Sequence, residues 1–217
     1  MSHEYRALLE KVDGFTTAVT DRRRADLACR PGCSSCCEVW LTVSPVEAQP
    51  LEAAVAALDP ETRACIAERG RRELEREAQA GRAKQSSSDT TAGVAAHETS
   101  AAATDTGNRP RCAMLEADGR CAVYAARPLV CRTQGLPLQY PAGVVPEAAV
   151  RGRTSRGEIT YCPLNFEHNA PAAPDVLDAE RVNQLLALVN LRFAQAHGLD
   201  PEARTALSAL AAAAAKP

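Results

Sequence analysis

Four cysteines within nine residues constrain this 217-residue chain more than any other feature. Four later ones complete a set of eight: Cys29, Cys33, Cys36, Cys37, Cys112, Cys121, Cys131 and Cys162. Spacings of two to four residues let one turn of backbone direct two thiolates at a single ion. Pro31 and Gly32 supply the sharp bend that such a turn needs. The pattern predicts a metal site with these eight cysteines as ligands.

The first ten residues bear on whether the thiols are metal ligands or disulfides. They are charged and polar, without the apolar stretch or cleavage site of a signal peptide. No later stretch reaches the run of about 18 apolar residues typical of a membrane span, so we expect a cytoplasmic protein. In a reducing cytosol, clustered thiols are more often metal ligands or redox groups than disulfides. Disulfides and inert buried thiols are the two alternatives.

The number of cysteines bears on how the metal is held. Eight thiolates suit two tetrahedral ions or one polynuclear cluster with bridging sulfurs, and the adjacent pair Cys36 and Cys37 favours either over one mononuclear site. All-thiolate coordination fits zinc or iron, including an iron–sulfur cluster. The negative charge of the thiolates predicts arginines around them, and five lie close in sequence: Arg30, Arg111, Arg120, Arg127 and Arg132.

Three further residues carry donor atoms but are weaker candidates. Cys65 lies alone in a segment rich in Glu and Arg, where we expect a partly buried helix residue without a metal role. His168 follows Cys162 by six residues and could replace a thiolate, although eight cysteines already fill two sites. His97 lies in a low-complexity segment and is expected to be a surface residue.

Apolar periodicity predicts a mainly α fold with a short β-hairpin, a small irregular metal-stabilised cysteine-cluster domain with helices at both ends. The hairpin, with Asp118-Gly119 at its turn, should bring Cys112 and Cys121 together. Residues 135–157 are rich in glycine and proline and predict a long loop. Helices are predicted over 3–24, from Ser44 onward, over 60–82 as an exposed helix, over 178–198, and from Asp200 onward.

Composition divides the chain into four parts. Residues 1–84 hold the first helix, the first cysteine turn and two further helices. Residues 85–109, rich in Ser, Thr, Ala and Gly, predict a flexible linker or insertion. Residues 110–198 form the second half of the cysteine-cluster domain with its C-terminal helix, and residues 199–217 form a terminal helix and tail.

The cysteine pattern resembles the CxxCxxCC, or YkgJ-like, family of zinc- or iron-chelating domains. The resemblance spans roughly residues 25–195 and departs from the pattern in the three residues between Cys29 and Cys33. It implies a bacterial metal-binding protein without a known reaction, and a resembling domain occurs in flagellin lysine methylases. The matching motifs are Cys29 to Cys37, Cys112-Ala-Met-Leu, Gly119-Arg-Cys121-Ala-Val-Tyr124, Arg127-Pro128-Leu-Val-Cys131-Arg132 and Cys162-Pro163.

The leading functional hypothesis is a non-catalytic protein whose metal is structural, or is stored, sensed or delivered. The alternative is an iron–sulfur redox protein or enzyme component for electron or methyl transfer. Catalysis is the less favoured interpretation, because the chain lacks a nucleophile elbow, a phosphate-binding glycine loop and a metal-hydrolase motif. A net charge of −2 without a basic stripe argues against a nucleic-acid partner, and no protein partner can be identified.

Overall fold

The computed structural model describes residues 1–85 and 110–214. Within these ranges the α-helices are α1 (His3–Arg22), α2 (Pro45–Ala56), α3 (Pro60–Gln85), α4 (Leu129–Thr133), α5 (Ala179–His197) and α6 (Leu207–Ala213). The strands are β1 (Thr42–Val43), β2 (Leu138–Tyr140), β3 (Gly152–Thr154), β4 (Gly157–Thr160), β5 (Leu177–Asp178) and β6 (Thr205–Ala206). Helices lie towards both ends, and the predicted mainly α fold is confirmed.

Two small sheets join segments that are distant in sequence. β1 pairs antiparallel with β6, and the other sheet has the order β3-β4-β2-β5. In that sheet β2 pairs antiparallel with β4 and parallel with β5, which leads into α5. The predicted loop over 135–157 is therefore wrong in part. Strands of three or four residues between glycines and prolines are too short to show a period in the sequence.

α1 and α5 form in the predicted places and share one core. The Ser2 side chain accepts a hydrogen bond from the Tyr5 amide (3.2 Å) and caps α1, and Asp178 caps α5 in the same way. α5 ends at Gly198, whose φ of +65° is left-handed, as predicted for a helix C-terminus. The core between them contains Tyr5, Leu8, Leu9, Val12, Val46, Leu129, Val182 and Phe193.

The capping pair of α2 also holds α4, the helix that carries Cys131. Glu47 Oε2 accepts hydrogen bonds from the Ser44 amide (3.1 Å) and from the Ser44 hydroxyl (2.8 Å). Its Oε1 accepts a third from the Leu129 amide (3.2 Å) at the start of α4. α2 continues through Pro50. The buried carboxylate of Glu47 thus joins α2 to the cysteine-bearing segment.

The prediction that α3 lies exposed is wrong, because small residues let it approach α6 closely. Ile66 and Ala67 are fully buried on this side of the helix. A Cβ added to Gly70 would lie 2.4 Å from the backbone nitrogen of Ala212. α6 itself begins later than predicted, at Leu207, because the two preceding residues pair with β1. The sequence analysis missed the contact between α3 and α6, because small residues such as Ala67 and Gly70 contribute to it and large apolar side chains are few.

The predicted linker over 85–109 and His97 lie outside the described residues, apart from Gln85 at the end of α3. The four-part division of the chain stays a prediction. α3, which precedes that segment, packs against α6 from the opposite end of the chain. Of the helices described, none has both the length and the apolar character required to cross a membrane.

Replacing Gly70 with alanine should lower the free energy of unfolding by about 1–3 kcal/mol, since the new methyl would collide with α6 backbone. Gly14→Ala is the matched control, because Gly14 lies within α1 with nothing near its Cβ position. That change should raise the free energy of unfolding by up to about 1 kcal/mol through helix propensity. Urea denaturation measures both, and equal effects would contradict the close α3–α6 contact.

Candidate metal centre

The first cysteine turn packs backbone to backbone against the turn that precedes Cys121. The Cys33 amide donates to the Arg30 carbonyl (2.9 Å), and Gly32 adopts a φ of +89°. Gly119, with a φ of +82°, lies so close that a Cβ there would be 2.6 Å from the Gly32 carbonyl oxygen. Both positions favour glycine because their φ is left-handed, and at Gly119 the close approach also leaves no room for a side chain.

A backbone hydrogen bond joins the segment of Cys36 and Cys37 to the segment that begins at Cys112. Cys36 and Cys37 lie in a short 3₁₀ turn (Ser35–Cys37), and the Cys37 carbonyl accepts from the Cys112 amide (2.8 Å). The predicted hairpin is reduced to one antiparallel bridge, between Leu115 and Cys121. This arrangement still brings Cys112 and Cys121 onto the same side as the Cys36–Cys37 pair.

Asn165 joins the first and the last of the eight cysteines. Its side chain is 1 % exposed, and Oδ1 accepts from the Ala28 amide (2.9 Å). Its Nδ2 donates to the Gly135 carbonyl (2.7 Å) and lies 3.4 Å from Cys29 Sγ, as a donor to that sulfur. The Cys162 amide donates to the same Gly135 carbonyl (3.3 Å). Cys29 and Cys162 therefore meet although they are far apart in the chain.

Gly135 leaves the space that the two thiols occupy. It has a φ of +86°, and a Cβ there would lie 3.5 Å from Cys29 Sγ and 3.6 Å from Cys162 Cβ. A Cβ would be in ordinary contact with both cysteines, but the left-handed φ would strain the backbone of any residue other than glycine.

The thiols form two groups, within which the charge on one thiol raises the pKa of another. We name the groups by their position. The outer thiol group is Cys29, Cys33 and Cys162: burial raises the pKa of Cys29, and negative charge on the other two raises it further. The inner thiol group is Cys112, Cys121 and Cys131, in which burial raises each pKa and charge on neighbouring thiols adds to the effect at Cys112 and Cys131.

Cys36 interacts with both groups. Its charge raises the pKa of Cys29 in the outer thiol group and those of Cys112 and Cys131 in the inner thiol group. A hydrogen bond with Cys37 and then burial raise the pKa of Cys36 itself. The adjacent pair thus lies between the two groups.

Burial makes the inner thiols harder to deprotonate, because it raises the pKa of each. It raises the pKa of Cys112 to about 11 and that of Cys131 well above the ordinary thiol range. Arg127 acts in the opposite direction and lowers the pKa values of Cys36, Cys121 and Cys131. The positive charge of Arg127 would stabilise the thiolate form of these three cysteines.

The prediction of five arginines around the thiols is only partly right. Arg127 stacks over the Tyr124 ring (3.5 Å to its centroid) and donates to the Cys131 carbonyl (3.4 Å). Arg132 instead forms an ion pair with Asp13 (2.6 Å). Sequence analysis missed Arg69 of α3, which donates to the Ala113 carbonyl (2.9 Å) and lowers the pKa of Cys112. Proximity in sequence could not reveal an arginine from a distant helix.

The remaining candidates lie at the surface. All nine cysteines are free thiols, and Cys65 is exposed on α3 rather than partly buried as predicted. His168 is exposed in the loop that follows Cys162. Asn165 was not predicted from the sequence, because its contact is with Cys29, far away in the chain, and no local spacing links the two residues.

The chemical type of the thiol side chains suits a metal. Within residues 1–85 and 110–214, no group of three or more His, Cys, Asp or Glu side chains already has a geometry that would hold an ion. Thiolates are nevertheless preferred ligands of both zinc and iron–sulfur centres. The backbone gathers the cysteines, and binding would require their side chains to close around the metal.

Comparison with protein families agrees with this site. A family model for a putative zinc- or iron-chelating domain matches residues 28–142, more than half of the chain. The chain belongs to the CxxCxxCC family. The match includes every cysteine of the predicted set except Cys162, which Asn165 and Gly135 bring back to Cys29. Searches of curated proteins and of solved structures found no match. Family membership supports metal chelation and leaves the choice between zinc and iron open.

Zinc affinity should rise steeply with pH. Raised pKa values mean that Cys36, Cys112, Cys121 and Cys131 still carry protons at neutral pH, and each ligand must lose its proton to bind. Each displaced proton should increase the apparent association constant about tenfold per pH unit below the thiol pKa. Competition with a chromophoric chelator between about pH 6 and about pH 8 measures this, and a flat profile would exclude these thiols as ligands.

Asn165→Ala should weaken metal binding about 10- to 100-fold, because Cys29 loses its amide donor and its link to Gly135. Asn183→Ala, on the exposed face of α5, is the control and should bind metal normally. Metal content after dialysis against a weak chelator gives the comparison, with circular dichroism to check folding. Equal metal retention by the two variants would show that Asn165 has no effect on the site.

Proposed function

We propose that this protein is a non-catalytic metal-binding protein that chelates zinc or iron through eight cysteines. The ligands are Cys29, Cys33, Cys36, Cys37, Cys112, Cys121, Cys131 and Cys162. The observation that carries the proposal is that the fold gathers cysteines from distant segments. Asn165 and Gly135 hold Cys29 beside Cys162, and a backbone hydrogen bond holds Cys37 beside Cys112. Membership of a zinc- or iron-chelating family supports it.

Bound metal would connect parts of the chain that share little regular structure. The cysteines lie on the first cysteine turn, the turn around Gly119, the short helix α4 and the loop after β4. Between these segments the described contacts are a few backbone bonds and the Asn165 side chain. Metal–thiolate bonds would therefore supply much of the local stability.

The adjacent pair supports a site with two ions or with bridging sulfur. Cys36 and Cys37 are successive residues of one 3₁₀ turn, so their side chains leave the backbone in different directions. One of them can serve each thiol group, or Cys36 can bridge both. Arg127 and Arg69 would offset the negative charge of the thiolates.

Metal storage, sensing, delivery or a structural role would all use this arrangement. The proposal includes a reducing bacterial cytoplasm, which free thiols support. The bridging position of Cys36 also favours a second candidate, an iron–sulfur protein for electron transfer or a component of a methyl-transfer enzyme. Anaerobic purification with metal analysis and an absorption spectrum separates the two. Zinc is colourless, whereas an iron–sulfur cluster absorbs in the visible range.

Serine substitution of each cysteine tests the ligand set. Each of the eight changes should lower bound metal, because a serine hydroxyl replaces a thiolate poorly. Cys65→Ser is the matched control and should keep the full metal content, since Cys65 is exposed and lies apart on α3. If the adjacent pair serves both groups, Cys36→Ser and Cys37→Ser should each lose metal, as measured by plasma emission analysis.

A variant set in which Cys65 matters and both Cys36 and Cys37 are dispensable would contradict the proposed site. Iron–sulfur bands in the absorption spectrum, together with loss of metal in the same eight serine variants, would support the same ligands and select the second candidate.

A further inference from the structure

The outer thiol group borders solvent. Every residue from 29 to 32 is exposed, including Cys29 itself, which is the one exposed cysteine among the eight. On the other side of this group, Pro163 is exposed and Leu164 is 51 % exposed. An acceptor molecule can therefore approach the outer thiol group from outside without any movement of a helix.

The inner thiol group is backed by the hydrophobic core. Cys112 and Cys121 pack against a cluster that includes Met114, which is 1 % exposed. Cys131 lies in α4, whose first residue, Leu129, is 3 % exposed and is held by Glu47. Packed side chains therefore cover one side of this group, and none of its three cysteines is exposed.

We propose that the outer thiol group is the exchange site of the protein, where metal passes to and from a thiol-bearing acceptor, while the inner thiol group retains its metal. The proposal rests on the proposed function, since it requires that both groups bind metal. It adds a division of labour between them, with delivery at one group and retention at the other.

The exchange step is a ligand substitution at the metal without electron transfer. Acceptor sulfurs would replace Cys29, Cys33 and Cys162 as ligands one at a time, beginning with the exposed Cys29. Each substitution would form one bond between the metal and an acceptor sulfur and break one bond to a cysteine, and the proton of the acceptor thiol would pass to the released cysteine. Asn165 Nδ2 lies 3.4 Å from Cys29 Sγ and would stabilise this sulfur as it leaves. Gly135 adds no side chain beside this sulfur and the Asn165 amide.

Metal release kinetics test this division. Protein loaded with zinc under anaerobic conditions is mixed with excess 4-(2-pyridylazo)resorcinol, with and without glutathione. We expect two release phases, with the fast phase about tenfold or more ahead of the slow phase and accelerated by glutathione. Glutathione probes a small thiol, and a reduced metallothionein used in its place probes a protein thiol.

Two ligand variants and one control show which thiol group gives rise to each release phase. Cys29→Ser should abolish the fast phase and keep the slow one, whereas Cys131→Ser should abolish the slow phase. Cys65→Ser, which removes another exposed thiol, should leave both phases unchanged. A single phase in the unmodified protein, or loss of the fast phase in Cys131→Ser alone, would overturn the exchange site.

Alkylation of the unmodified protein gives a readout that does not depend on variants. In the zinc-loaded protein, N-ethylmaleimide should label Cys29 about tenfold faster than Cys131, as quantified by peptide mass spectrometry. Equal labelling rates would contradict the difference in access. A protein that retains no metal overturns the proposed function and the exchange site together, whereas two retained ions released at one rate overturn the exchange site alone.

Discussion

The buried amide of Asn165 is the contact on which the arrangement of the cysteines depends. It satisfies one backbone donor next to Cys29 and one backbone acceptor at Gly135, and it reaches the Cys29 sulfur. An amide is suited to this place, because it donates and accepts without adding charge beside several thiols. An aspartate at the same position would have no proton to donate and would add repulsion to a site that must accumulate thiolates.

Buried carboxylates support the site from the helical side. Glu47 holds the start of α4, and Glu73 of α3 accepts from Trp40 Nε1 (3.2 Å) and from the Arg111 amide (3.2 Å). These two residues connect α2 and α3 with the segments that carry Cys131 and Cys112. The irregular cysteine segments are thus fixed by a small number of strong polar contacts to regular helices, since such contacts to charged groups exceed neutral ones in strength.

The sequence was sufficient for the parts governed by local rules. The apolar stripe of α1, the Ser44–Glu47 capping pair and the glycine after α5 each follow from interactions within a few residues, and the structure shows all three. The cysteine spacing and the family resemblance predicted the metal-binding character, which the family match supports. The burial of α3, the short strands after α4 and the contact of Asn165 with Cys29 depend on residues far apart in the chain. No local pattern encodes such contacts, as Gly70 shows by its approach to Ala212.

The order of the cysteines along the chain has a consequence for synthesis on the ribosome. The thiols of the inner group and the adjacent pair have all been made once Cys131 emerges, whereas the outer group lacks Cys162 and its anchor Asn165 until a later stretch has been translated. Because domains acquire structure from the N-terminus as they emerge, a nascent chain can assemble the inner group first. The outer group closes only after residues 162–165 have been translated, and the α3–α6 contact closes later still, so the exchange site assembles after the inner group.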